Sequence, residues 1–148
     1  MTAKSSLLWA SAAAVALTLA GCGSGRLSHD AYVTRADAVC RAYNSQVTLL
    51  TRPTSYEDVI AYVGKTLPYY VGAVNKLKQL EPAKSDEAAV HGWLAHSAVV
   101  EAALRSLRDA ALNRDAARMN DASTAVQSAS LASRQAAGAL GLTDCAAP

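Results

Sequence analysis

SHDAYVTRADAVCRAYNSQVTLLT, residues 28–51, has the periodicity of an amphipathic helix. Tyr32, Val33, Ala36, Val39, Cys40, Tyr43, Val47 and Leu50 recur at steps of three and four, which places them on one stripe of an α-helix. Ser28 stands where an N-cap belongs, and Asp37 with Arg41 reads as an i,i+4 ion pair on the outer side. The stripe turns Cys40 toward a core.

Downstream, Arg52-Pro53 stops this helix and Thr54-Ser55-Tyr56-Glu57 has the capping-box pattern that opens another. Tyr56, Val59, Ile60, Val63 and Leu67 continue with helical spacing into Tyr70, Val71, Val74, Leu77 and Leu80. Pro68 interrupts them: it removes one backbone bond and presses on the carbonyl of Gly64, so a kink or short break is expected between Gly64 and Pro68. Such a kink either opens a pocket or only lets the helix follow a curved core.

Glu81-Pro82-Ala83-Lys84 is a short connection, with Ser85 or Asp86 as the next cap. A third helix runs to about Leu112 on Val90, Trp93, Leu94, Ser97, Val100, Leu104, Leu107 and Ala111, with Glu101, Arg105 and Asp109 spaced for surface ion pairs. Asp115 can cap a fourth, about Ala116 to Leu140, whose larger apolar residues are Met119, Val126, Leu131 and Leu140. Its alanines favour helix but bury little area, so it must approach its neighbours closely. Gly141 suits the C′ position, and Leu142 to Cys145 then leave the helix. With no strand pair and short connections, the expected fold is all-α, an antiparallel up-down four-helix bundle with its second helix kinked at Pro68.

Upstream, Lys4 precedes an apolar run from Leu7 to Ala20, 14 residues and short of the roughly 20 that a bilayer core demands, so a secretory signal fits better than a membrane span. Leu19-Ala20-Gly21-Cys22 resembles the lipobox of bacterial lipoproteins. That resemblance implies a diacylglyceryl thioether on Cys22, further acylation such as palmitate, and cleavage after Gly21. Several chains on one residue make a stable anchor where one would not. The expected organisation is a signal peptide at 1–21, a lipidated flexible tether at 22–27 and a helical domain at 28–148, held at the extracytoplasmic face of the cell membrane.

With Cys22 committed to lipid, Cys40 and Cys145 remain in a chain bound for an oxidising compartment, where a disulfide between them is expected in preference to free thiols or a metal pair. Such a bond fits a bundle whose last helix ends beside its first. Removing residues 1–21 changes the formal net charge from +2 to +1, far from the basic stripe of a nucleic-acid binder.

Signatures of chemistry are sparse. His91 and His96 do not share a helix face, His29 stands alone, and Glu87 with His91 is spaced as a surface contact, so neither metal nor other cofactor is expected. There is no Gly-x-Ser-x-Gly elbow or Gly-rich phosphate loop, and an enzyme is not expected. Serines of the fourth helix read as its outward face.

Beyond the signal segment the chain has six tyrosines, one tryptophan and no phenylalanine, all between Tyr32 and Trp93. Every aromatic ring thus carries a polar tip. Tyr56, Tyr62, Tyr69 and Tyr70 around Pro68 either rim an interaction surface or sit at the bundle boundary with their hydroxyls in water.

Tyr32 to Cys40, Leu67-Pro68, Leu80-Glu81-Pro82 and Gly141 to Cys145 together resemble small, Ala-rich actinobacterial lipoproteins and secreted proteins of unassigned function. The resemblance implies an exported helical domain with a disulfide and carries no catalytic residues. Two functions are expected: a membrane-anchored helical interaction module that docks an envelope protein through the tyrosines near Pro68, or a bundle that binds a small apolar ligand or lipid in a cavity between helices.

Overall fold

A computed structural model describes residues 25–148. The signal segment 1–21 and the lipidation position Cys22 lie outside the described residues. Four helices make up the fold: α1 (His29–Val47), α2 (Tyr56–Lys78), α3 (Glu87–Leu112) and α4 (Ala116–Ala139), with no strand among the described residues. None of the described helices is long and apolar enough to cross a membrane.

Local chemistry sets the helix ends. Ser28 caps α1 by accepting from the Ala31 N–H. The helix stops at Val47, short of the expected Thr51, because the Thr48 hydroxyl bonds back to the Asn44 carbonyl at 3.0 Å and Leu49, 83% exposed, finds nothing to pack on. Ser55 caps α2 in a capping box closed by Asp58, not by a residue of the 54–57 tetrad. Asp58 also accepts from the Thr54 hydroxyl and N–H, and these bonds, the hydroxyl first, hold its carboxyl below the usual range.

α2 runs through Pro68 as continuous helix, so of the expected kink or short break the break does not occur. Both Gly64 and Pro68 face solvent, so the carbonyl that the proline ring deprives of its partner lies on the wet side of the helix. Asp86 occupies the cap position of α3 but does not cap it; its carboxylate turns to His29 Nδ1 at 2.9 Å and to the Ser85 hydroxyl. Asp115 caps α4 through the Arg118 N–H. At the far end Gly141 adopts φ +79°, and the bonds Leu142 N–H to Ala137 and Gly141 N–H to Gly138 close a Schellman motif.

Two apolar clusters hold the helices. Tyr32 and Ala36 of α1 meet Leu77 near the end of α2, Val90 and Trp93 near the start of α3, and Leu140 and Leu142 after α4. Val63 and Leu67 of α2 pack on Val100 and Leu104 of α3, with Val126 of α4 against them. Burying Leu142 alone is worth about 2 kcal/mol. Leu131, by contrast, points outward, half exposed.

Helices that follow one another in sequence pack closely, whereas the α1 and α4 backbones stand further apart and share only the cluster in which Ala137 joins Tyr32 and Ala36. The segment after α4 spans that side instead. Cys145 bonds Cys40 of α1, as the cysteine count led one to expect. Asp37 is the buried anchor of this crossing, with Arg41 paired to Asp144 at 2.6 Å and Asn44 Nδ2 donating to the Asp144 carbonyl at 2.9 Å. The expected Asp37 to Arg41 ion pair is therefore replaced: Asp37 serves backbone N–H groups that nothing else reaches, and Arg41 turns to the new carboxylate.

The chain docks earlier than the expected start at Ser28. Arg26 reaches the Pro82 carbonyl and the Glu87 carboxylate, both at 3.2 Å, and the Leu27 N–H bonds Glu81 at 2.8 Å. Residues 26 and 27 are thus part of the domain, and Glu87 is paired with Arg26, not with His91. At the other end Arg114 pairs with Glu57 and lies over the Tyr56 ring.

Candidate ligand-binding cavity

The gap between α1 and α4 is a cleft of about 490 Å³, floored by α2 and α3 and crossed at one end by the Cys40–Cys145 bridge. Its origin lies in the sequence of α4. Where α4 faces the gap it offers Ser130 and Ser133, whose side chains are too short to fill it. These half-buried serines were expected on the outward face; the structure sets them in the cavity wall.

One face of α2 supplies the floor. Tyr62, Thr66 and Tyr70 follow at i, i+4 and i+8, so all three line the cleft. Tyr43 of α1 meets Tyr70 edge-on at 5.6 Å between ring centres. The Tyr70 hydroxyl donates to the Ser97 carbonyl at 3.1 Å, and the Ser97 hydroxyl lies 3.4 Å from that of Ser133, joining α2, α3 and α4 by polar contacts. Trp93, Val100 and Leu104 of α3 and Val126 of α4 complete an apolar wall.

Burial pushes the phenols of Tyr43 and Tyr70 above their ordinary pKa, so both stay neutral. Thr66 Oγ1 is buried and has no hydrogen-bond partner. Among the described residues no histidine or acidic side chain lines the cleft. What the walls can do is bind: a large apolar surface with a few fixed polar atoms is the usual make-up of a small-molecule site.

The four tyrosines expected around Pro68 do not share one surface. Tyr62 and Tyr70 line the cleft; Tyr69, 42% exposed, lies with Pro68, Gly72 and Lys76 in a separate shallow depression; Tyr56 sits under Arg114. Pro68 does not line the cleft, which lies between α1 and α4. Cys40 and Cys145 border it, and Cys22 is outside the described residues.

Tyr43, Thr66, Ser133 and Arg134 also line the cleft, and sequence reasoning did not single them out. The i, i+4, i+8 recurrence of hydroxyl-bearing residues on α2 was the available signal. Among the described residues no group of three or more histidine, cysteine or acidic side chains is placed to hold a metal. No family model, curated protein or solved structure matches the chain. The functional reading accordingly stands on the geometry.

Proposed function

We propose that this protein is a lipid-anchored binding protein of the bacterial cell envelope that holds a small apolar ligand in the cleft between α1 and α4, without catalysing its conversion. The cleft of about 490 Å³ carries this reading, because its size lies in the ordinary range for small-molecule sites and its walls are mainly apolar. The dispersal of Tyr56, Tyr62, Tyr69 and Tyr70 over three places favours ligand binding over a tyrosine docking face.

The anchor belongs to the same reading. With Arg26 docked on the α2–α3 connection, a lipid on Cys22 would leave four chain steps, about 14 Å at full extension, between that end of the bundle and the membrane. The ligand site would then lie close to the surface from which an apolar molecule leaves or enters.

Thermal unfolding of the protein with and without apolar small molecules tests the reading. A ligand that binds the folded state raises the midpoint with concentration. Ser130→Phe, which fills the cleft from α4, should abolish that rise while keeping the helices. If no apolar compound shifts the midpoint, or if Ser130→Phe leaves the shift intact, the assignment to this cleft fails.

A further inference from the structure

Charged side chains are rare in the lining of the cleft, which the last residue, Pro148, also borders. Arg134, half-buried on α4, is the only charged side chain among the described residues that line it. Arg26, Arg41, Arg105 and Arg114 each hold a carboxylate, whereas among the described residues Arg134, like Arg35, Arg52, Arg108 and Arg118, has none within ion-pair distance. A guanidinium presents a planar fork of donors that matches a carboxylate or phosphate. Beside an apolar cleft, such a fork is an unfilled half of an ion pair.

Thr66 adds a polar atom beneath the floor of the cleft. A threonine within a helix commonly returns its hydroxyl to the carbonyl four residues back. Thr66 does not, and its Oγ1 is buried in the floor of the cleft without a partner. A buried hydroxyl left unpaired is costly. The cleft, at about 490 Å³, has room for one acyl chain.

We infer that the ligand is a single-chain anionic amphiphile, its carboxylate or phosphate head on Arg134 and its chain between Tyr43 and Tyr62 on one side and Val100 and Leu104 on the other. The inference rests on the ligand-binding reading and adds the head group. A free fatty acid and a monoacyl glycerophosphate share this chemistry.

Trp93 lines the cleft and reports on its contents. The full chain, taken from its own membrane into zwitterionic nanodiscs, is titrated with a chain-brominated 16-carbon fatty acid, which quenches tryptophan on contact. Competitors are then palmitate, 1-palmitoyl lysophosphatidate, hexadecanol and hexadecyltrimethylammonium. The anionic pair should displace the quencher at about one-tenth the concentration of hexadecanol or less, since one charge-assisted contact is worth about tenfold or more; the stronger of the two names the source.

Arg134→Gln should erase that preference and leave hexadecanol unchanged, whereas Arg35→Gln, on the outer face of α1, should preserve it. Equal displacement by hexadecanol and palmitate in the native protein overturns the head-group assignment while leaving the cleft as a binding site. Loss of the preference in Arg35→Gln overturns it too, since general surface charge would then be responsible. Quenching that persists in Ser130→Phe, or no quenching in the native protein, removes the cleft itself as the site.

Discussion

Asp37 Oδ2 accepts from both the N–H and the hydroxyl of Thr143, at 3.0 and 2.9 Å, across more than a hundred residues of chain. Its other oxygen accepts from the N–H groups of Asp144 and Cys145, at 2.9 and 3.2 Å. One carboxylate on α1 thus caps the whole returning segment, much as an N-cap serves a helix. The disulfide joins two elements that this carboxylate also holds.

Replacing that carboxylate should show what it contributes. Asp37→Ala leaves three N–H groups and a hydroxyl without their acceptor, and a loss of about 3 kcal/mol is expected from unsatisfied buried donors. Burial pushes the Asp37 carboxyl up, but the bonds from Thr143, Cys145 and Asp144 together outweigh it and hold its pKa below the ordinary value. A depressed folded pKa means stability present above the unfolded value near 4 and lost as the pH falls through the folded one. Denaturant titrations at pH 7 and at stepwise lower pH should show a shallower acid decline in Asp37→Asn than in the native protein; identical slopes would mean that Asp37 does not govern acid stability.

Reduction of Cys40–Cys145 opens a loop spanning 105 residues, and for a loop of this size the chain-entropy account gives about 4.7 kcal/mol. Thermal melts with and without reductant measure the difference. Hydrogen exchange should quicken first in residues 140–148, while Val63, Leu67, Val100 and Leu104 keep the α2–α3 contact protected.

Tyr32 carries a buried hydroxyl with no partner, and burial pushes its pKa up to about 12. Tyr32→Phe removes the unpaired group while keeping the ring, so a gain of about 1 kcal/mol is expected. For a phenol whose folded pKa is raised, the neutral-state stability is complete below the unfolded value near 10 and declines as the pH rises through the folded one. Alkaline unfolding followed by circular dichroism should accordingly be less steep between pH 10 and 12 in Tyr32→Phe.

Gly141 holds the left-handed turn of the Schellman motif at φ +79°. A β-carbon there would meet only His29 Nε2 at 3.9 Å, so space is not the obstacle. The backbone conformation is: Gly141→Ala should cost about 1 kcal/mol. Chemical denaturation of the two proteins side by side reads it directly, and no loss would mean that the turn relaxes.

Local signals in the sequence determined most of the secondary structure. Ser28, Ser55, Asp115 and Gly141 each mark a helix boundary by hydrogen bonds made within a few residues, and such bonds form wherever the stretch is helical. The pairing of Cys40 with Cys145 was legible too, because the lipobox reading of Cys22 left two cysteines in an oxidising setting.

The partners of residues that are neighbours in space alone emerge only on folding. Asp37 and Arg41 are well spaced for each other, yet the returning segment offers Asp37 more donors and Arg41 another carboxylate. A Pro68 kink was read as either opening a pocket or following a curved core; Pro68 faces solvent, while Ser130, Ser133 and Arg134 on α4 border the cleft. A cavity is volume that side chains from four helices fail to fill, and its existence depends on how far apart the helices stand. Spacing along one helix sets which residues share a face, but the distance from α1 to α4 is set by the packing of each on its own neighbour.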